Sequence, residues 1–161
     1  MVRWLSHDAH GRVRPLWAKW MLRLYGPFLG AGVRIVTLAD DYSHIRVEMP
    51  LTWYNANYVG TQFGGALYAM TDPFYMLMLI QILGHEYIVW DKAASIEFIK
   101  PGRSRVCADF NFTPADIDVI LAQTASGEKY VFDKEVTIHD TAGELVARVT
   151  KTIYVRKKPA R

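Results

Sequence analysis

The chain predicts an α+β fold in which an antiparallel curved sheet wraps around a long central apolar helix, with an extra helix at the N-terminus. Three observations predict it. At 161 residues the chain is the size of one domain with one core. Six runs alternate apolar and polar residues over much of their length, the pattern of strands with one buried face. Between the second and third runs, the segment from about Gly65 to Leu83 is nearly all apolar, and Asp72 is the only charged residue between Phe63 and His85. A helix that is apolar on every side must be covered on every side, and a sheet curling around it is the economical cover.

The elements follow in order. Trp17, Trp20, Met21, Leu24, Tyr25 and Phe28 recur at spacings of three and four, with Lys19 and Arg23 on the other face, so the spacing predicts an amphipathic helix. Pro15 suits its first turn and Gly30 or Gly32 its end. Such a helix is either a lid over one edge of the sheet or a membrane-surface helix. Val33 to Leu38 and His44 to Met49 read as a hairpin, with Ile45, Val47 and Met49 facing the core. After an irregular stretch through Asn55, Asn57 and Gly60 comes the apolar helix, which Gly84 ends. The remaining strands are Ala93 to Ile99, Arg103 to Phe112, Lys129 to His139 and Leu145 to Val155. Before the third of these, Thr113 as N-cap and Pro114 at the first position open a short helix, and Gly127 closes that segment. The division is a tail and amphipathic helix over 1–32, the main domain over 33–155, and a basic tail over 156–161.

Composition narrows the function classes. Hydrophobic residues are 51% and charged residues 22% of the chain, which excludes global disorder. One cysteine excludes an internal disulfide framework. The net charge of +3 is uneven: residues 1–34 hold six basic residues and one acid, residues 148–161 hold six basic residues and no acid, and 35–147 carries −8. The tail residues Arg156, Lys157, Lys158 and Arg161 are a solvated terminus or an anion patch. As a patch they suit coenzyme phosphates, an acidic carrier protein or a membrane surface better than nucleic acid, for which no motif is present. Met1 to His10 lacks the apolar run of a secretory signal. The longest apolar stretch, Pro73 to Leu83, is 11 residues where a spanning helix needs about 20. A cytoplasmic protein with no membrane span is expected.

The chemistry concentrates in residues 57–72, which join a loop to the apolar helix. Gly64-Gly65 before a helix leaves backbone N–H groups approachable at its positive end, a place to stabilise an oxyanion; close packing explains the same pair. Asp72 is a carboxylate in apolar company and needs a reason. It is a catalytic carboxylate, or else the N-cap of a helix that starts at Pro73. If the helix starts near Gly65 instead, Pro73 lies within it, frees the Ala69 carbonyl and kinks it beside Asp72.

These residues resemble a known family. Asn57, Gly60, Gly64, Gly65 and Asp72 match the motif Asn-x-x-Gly-x-x-His-Gly-Gly, six residues, Asp, of hotdog-fold thioesterases of the phenylacetyl-CoA thioesterase type. The family's His is Phe63 here, and the Phe63-Gly-Gly and Asp72-Pro73-Phe74-Tyr75 runs look more like an uncharacterised hotdog branch labelled as thioesterases. The resemblance implies hydrolysis of an acyl-CoA or acyl-carrier thioester without a metal or other cofactor, coenzyme A being part of the substrate. It implies Asp72 as general base or nucleophile, the N–H of Gly64 or Gly65 as oxyanion donor, and Asn57 positioning water or substrate. Gly60, Thr61, Gln62 and Phe63 would line the substrate site. Gly64 and Asp72 are eight residues apart, about 12 Å along a helix, too far to act on one carbonyl within one chain. The site is therefore expected to be shared between two antiparallel copies in a homodimer or a tetramer built from it. In the family, dimers join their sheets edge to edge through the strand matching Ala93 to Ile99. With Phe63 in place of the His, a non-catalytic acyl or acyl-CoA binding protein is the alternative; a hydratase or dehydratase is a second, though that chemistry pairs a His with an acid.

Outside the motif, Lys100 and Arg103 form a basic turn that meets coenzyme A phosphates or is simply solvated. Met49, Met70, Met76 and Met78 line an acyl tunnel or fill the core. Cys107 sits in a strand with no evident base and is assigned a structural role. His7, His10, His44, His85 and His139 form no Ser/His/Asp or metal-ligand pattern.

Overall fold

A six-stranded antiparallel sheet in the order β1-β2-β4-β5-β6-β3 forms the body of the structure, a computed structural model that describes residues 12–159. Its strands are β1 (Arg34–Leu38), β2 (His44–Met49), β3 (Tyr87–Phe98), β4 (Val106–Asn111), β5 (Lys129–Asp140) and β6 (Leu145–Lys157). The helices are α1 (Pro15–Arg23), α2 (Gly26–Ala31), α3 (Gly64–Ala69), α4 (Phe74–Leu83) and α5 (Pro114–Thr124). This is the expected hotdog arrangement, with β1 and β3 as the two open edges. Inward residues of every strand meet α3 and α4, so Val47, Phe110, Ile138, Val149 and Ile153 form one core with Phe74, Met78 and Leu79.

The central segment departs from expectation at one place. The predicted helix from Gly65 to Leu83 is two helices, broken at a cis Asp72–Pro73 peptide. Pro73 has no N–H to continue the ladder, and the Asp72 N–H takes the Ala69 carbonyl at 3.2 Å. Pro73 is itself the N-cap of α4, and no side chain caps that helix. Asp72 is thus neither inside a continuous helix nor an N-cap. By length and composition Gly64–Leu83 would pass for a membrane span, at mean hydropathy 1.4, yet the sheet buries Phe74, Tyr75, Met78 and Leu79 of α4.

The N-terminal helix is also divided, between Leu24 and Gly26, and α1 lies beside β1, where the Lys19 Nζ donates to the Val36 carbonyl at 2.7 Å. Its covered side is not the predicted one: Ala18 is buried and Leu22 packs on the core, whereas Trp17, Trp20, Met21 and Leu24 are exposed. Only Phe28 of the predicted apolar face turns in, stacking on Phe74 with ring centroids 5.5 Å apart. Gly32, at φ +79°, ends α2 in the left-handed conformation glycine favours.

Strand boundaries shift for local reasons. β3 begins at Tyr87, six residues before the predicted Ala93, and carries a register shift between Asp91 and Ala93. That bulge changes the parity of the strand. Val89 and Asp91 before it and Ala94 and Ile96 after it lie on the more covered face. The predicted strand from Arg103 begins only at Val106, because residues 101–103 form the turn that packs on Gln62. Thr113 caps α5 as expected, accepting from the Asp116 N–H and completing a capping box. β6 runs through Lys157, so the basic tail starts later than residue 156. Arg156 donates to the Gly127 carbonyl at 3.1 Å and the Lys158 backbone N–H donates to the Glu86 carbonyl at 2.8 Å, so both residues are tied to the fold while they remain exposed to solvent. Arg161, like His7 and His10, lies outside the described residues.

Candidate active site

Two groups of residues stand out, one at each end of α3. The first is a cavity of about 410 Å³ lined by Asn57, Thr61, Gln62, Gly64, Lys100 and Arg103, with Leu67, Phe98 and Ile99 as its apolar wall. The loop that shapes it is self-contained. Asn57 Oδ1 accepts from the backbone N–H groups of Val59 and Thr61 at 3.1 and 3.0 Å, and its amide donates to Thr61 Oγ1 at 2.9 Å. The Gly60 N–H returns to the Asn57 carbonyl at 3.0 Å, closing a turn that holds Gly60 at φ +76°. The Asn-x-x-Gly spacing therefore builds this turn, and both ends of the Asn57 side chain are occupied in holding it.

Gln62 anchors the loop to the sheet. It is 3% exposed, its amide donates to the carbonyls of Met49 and Ser104 at 3.2 and 3.1 Å, and its buried Oε1 has no partner. Gly64 opens α3, where first-turn N–H groups have no acceptor within the helix. A Cβ at Gly64 would lie 3.0 Å from the Phe98 ring, so glycine keeps this helix end clear. Lys100 is paired with Glu144; Arg103 is exposed at the cavity rim. Phe63 and Gly65 face elsewhere, into a second cavity of about 280 Å³ against Gly30, Ala31, Tyr54 and Asn55. The two motif glycines thus serve different spaces.

The second group lies at the helix break. Lys151, on the inward face of β6, is 1% exposed in its side chain, and its Nζ is 2.5 Å from Asp72 Oδ1 and 2.8 Å from Asp91 Oδ2. Asp91 is 16% exposed and Asp72 47%, so the ammonium is shared between an inner and an outer carboxylate. The ammonium also lies 5.7 Å from the Tyr68 ring centroid. Burial pushes the Asp91 carboxyl up, against the pull of Lys151, and the charge of Asp72 adds to the rise. Burial alone would pull Lys151 down, but its hydrogen bonds and charge interactions with Asp72 and Asp91 outweigh it and hold the ammonium above the ordinary lysine range. A buried ammonium is tolerable only with such partners.

Asp72 does not line the cavity that holds Gly64, in keeping with their separation along the chain. Lys151 and Asp91 were not singled out from sequence. The signal for Lys151 was its inward place in the alternation Val149-Thr-Lys151-Thr-Ile153; Asp91 shares a strand face with Val89. Met49, Met70 and Met78 are fully buried in the core, with Met76 packed against it. Burial raises the Cys107 thiol, so it is not an activated nucleophile. Among the described residues no three His, Cys, Asp or Glu converge as a metal site requires.

Solved structures share this fold at low identity. The Pseudomonas aeruginosa protein PA5026, described as a protein of unknown function and probable thioesterase, is 18% identical with a TM-score of 0.80, over 92% of this chain and 99% of its own. A protein of unknown function from Chlorobaculum tepidum is 15% identical with a TM-score of 0.71, over 89% and 94%. Thioesterase HI1161 from Haemophilus influenzae is 16% identical with a TM-score of 0.63, over 88% and 90%. No curated protein matches. Residues 14–155 match the family model described as a domain of unknown function, DUF4442, and the chain belongs to that family.

Proposed function

We propose that the protein hydrolyses an acyl-CoA or related acyl thioester at a site shared between two copies of the chain. The observation that carries this reading is Asp72 itself: a half-exposed carboxylate whose Oδ1 is fixed by a buried ammonium. Asp91 supplies the inner negative charge that Lys151 requires, which leaves Asp72 to face the substrate. Structural neighbours described as thioesterases support the reaction class.

In this reading Asp72 takes a proton from water, the hydroxide oxygen attacks the thioester carbonyl, and the oxyanion is met by the Gly64 N–H of a second chain. Collapse breaks the C–S bond, the thiolate takes up the proton, and a carboxylic acid leaves. The wall of Leu67, Phe98 and Ile99 takes the acyl group, and Arg103 meets the coenzyme phosphates. Phe63 and Gly65 shape the neighbouring cavity. The open edge of β3, 12 residues long, is the surface for edge-to-edge pairing of two sheets.

The test is thiol release from a panel of acyl-CoA esters by the wild-type chain and Asp72→Asn, with both melts recorded. A fall of about 100-fold or more in kcat is expected. Equal rates in the two would remove Asp72 from the chemistry; tight acyl-CoA binding with no thiol release by either would make this a binding protein.

A further inference from the structure

The N-terminal helices carry an apolar face that no described residue covers. At about 100° per residue, Leu16, Trp20, Leu24, Trp17 and Met21 fall within an arc of about 140°. All five are exposed, Leu16 and Leu24 at 68%, and Leu29 of α2 is exposed beside them. Ala18 and Leu22 hold the opposite side of α1 to the core, so the outward face is turned away from the core that the described residues form. An exposed patch of this kind on a folded protein marks an interaction surface.

Charge identifies the partner. Residues 12–32 contain Arg12, Arg14, Lys19 and Arg23 and no Asp or Glu. The Arg23 guanidinium lies 5.8 Å from the Trp20 ring centroid, which places positive charge at the rim of the apolar face. A second copy docked here face to face would set these cations against their own equivalents. The edge of β3 is at the other end of the sheet, with four strands between it and β1. A surface offering both apolar depth and negative charge meets the pattern: tryptophans at the boundary, arginines on phosphates.

We propose that α1 and α2 seat the protein on a bilayer surface containing anionic phospholipid. Trp17, Trp20 and Leu24 enter the boundary between headgroups and acyl chains, and Arg14 and Arg23 meet lipid phosphates. The helix is already folded against β1, so binding does not carry the ordering cost that a free amphipathic peptide meets. The proposal does not depend on the hydrolytic reading above.

The test is co-sedimentation of the full chain with vesicles of phosphatidylcholine alone and of phosphatidylcholine mixed with phosphatidylglycerol. Partition into the anionic vesicles is expected to exceed that into the neutral ones and to weaken as salt rises. Trp17→Ser with Trp20→Ser and Leu24→Ser is expected to lower that partition about tenfold or more with an unchanged melt; the single substitution Leu24→Asp serves if the triple variant does not fold. Arg14→Gln with Arg23→Gln is expected to remove the preference for the anionic vesicles. No binding to anionic vesicles, equal binding to both kinds, or undiminished binding by the apolar variants would overturn the proposal. So would a change in oligomeric state of the apolar variant without any vesicle binding by the wild type, or capture of an acidic protein in place of lipid.

Discussion

Lys151 Nζ lies 2.5 Å from Asp72 Oδ1 although the two residues are 79 apart in the chain. The contact is made by topology: β6 lies between β5 and the edge strand β3, and Lys151 points inward from it at the level where α3 gives way to α4. Asp91, from the neighbouring β3, completes the arrangement at 2.8 Å. A surface ion pair contributes little to stability. Here one partner is wholly buried, so removing a member leaves charge in the interior.

Replacing Lys151 by Met is therefore expected to destabilise the fold by about 3–5 kcal/mol at neutral pH, because Asp91 stays buried without its counter-charge. Lys151→Met with Asp91→Leu is expected to recover most of that loss, since an apolar pair of similar volume removes the buried charge altogether. Chemical denaturation of the three proteins gives the comparison, and a double variant no better than the single one would show that the pair is not the source of the loss.

The pH dependence of that deficit has a definite sign. Asp91 has its carboxyl raised in the folded chain, so its favourable contribution is full below the ordinary value of 3.8 and is lost as pH rises through the higher folded value. Without the pull of Lys151 the rise is larger. The deficit of Lys151→Met is expected to be greatest at neutral pH and to shrink as pH falls. In the wild type, Lys151 is itself raised, so its contribution is full below the ordinary 10.5 and is lost as pH climbs through the folded value. Melting temperatures across both ranges measure the two slopes.

Asn55 holds the loop before α3 in place. It is 4% exposed. Its amide donates to the carbonyls of Ala31 and Pro50 at 2.9 and 2.7 Å, and its Oδ1 accepts from the backbone N–H of Thr52 at 2.8 Å. Asn55→Ala orphans these groups and is expected to cost about 2–4 kcal/mol, read as a lower denaturation midpoint. Asn57→Ala, whose partners are confined to a half-exposed turn, is expected to cost less.

Gly64 and Phe98 are in contact across the cavity. A Cβ at Gly64 would meet the ring at 3.0 and 3.2 Å, so the ring must yield by a few tenths of an ångström. Gly64→Ala is expected to change stability by less than about 1 kcal/mol, because the ring is half exposed and can move, while raising KM for acyl-CoA as the wall is displaced. Phe98→Leu in the same chain is expected to restore KM. An unrestored KM would place the effect at the helix end rather than at the ring.

The strand order and the wrapped helix were legible because period-two runs and an all-apolar segment are strong signals that need no knowledge of contacts. The break at Asp72 was not. Pro73 announced a disturbance, but both local outcomes, a kink and a capped start, differ from the cis peptide seen. Lys151 was hidden for another reason: a lysine near a basic terminus reads as solvated until the register with Ala94 and Lys134 turns it inward. The face of α1 was misassigned because periodicity locates an apolar stripe without saying whether protein covers it. Ala18 and Leu22, unremarkable in the sequence, are what the core accepted.

The central claim is that Asp72 of one chain works with Gly64 of another. Mixing Asp72→Ala chains with Gly64→Val chains, each inactive alone, tests it most directly in a thiol-release assay, with mixed dimers verified by two affinity tags. A shared site predicts recovery of about a quarter of wild-type activity, since half the dimers are mixed and each holds one intact site. No recovery in verified mixed dimers would contradict a site shared between subunits.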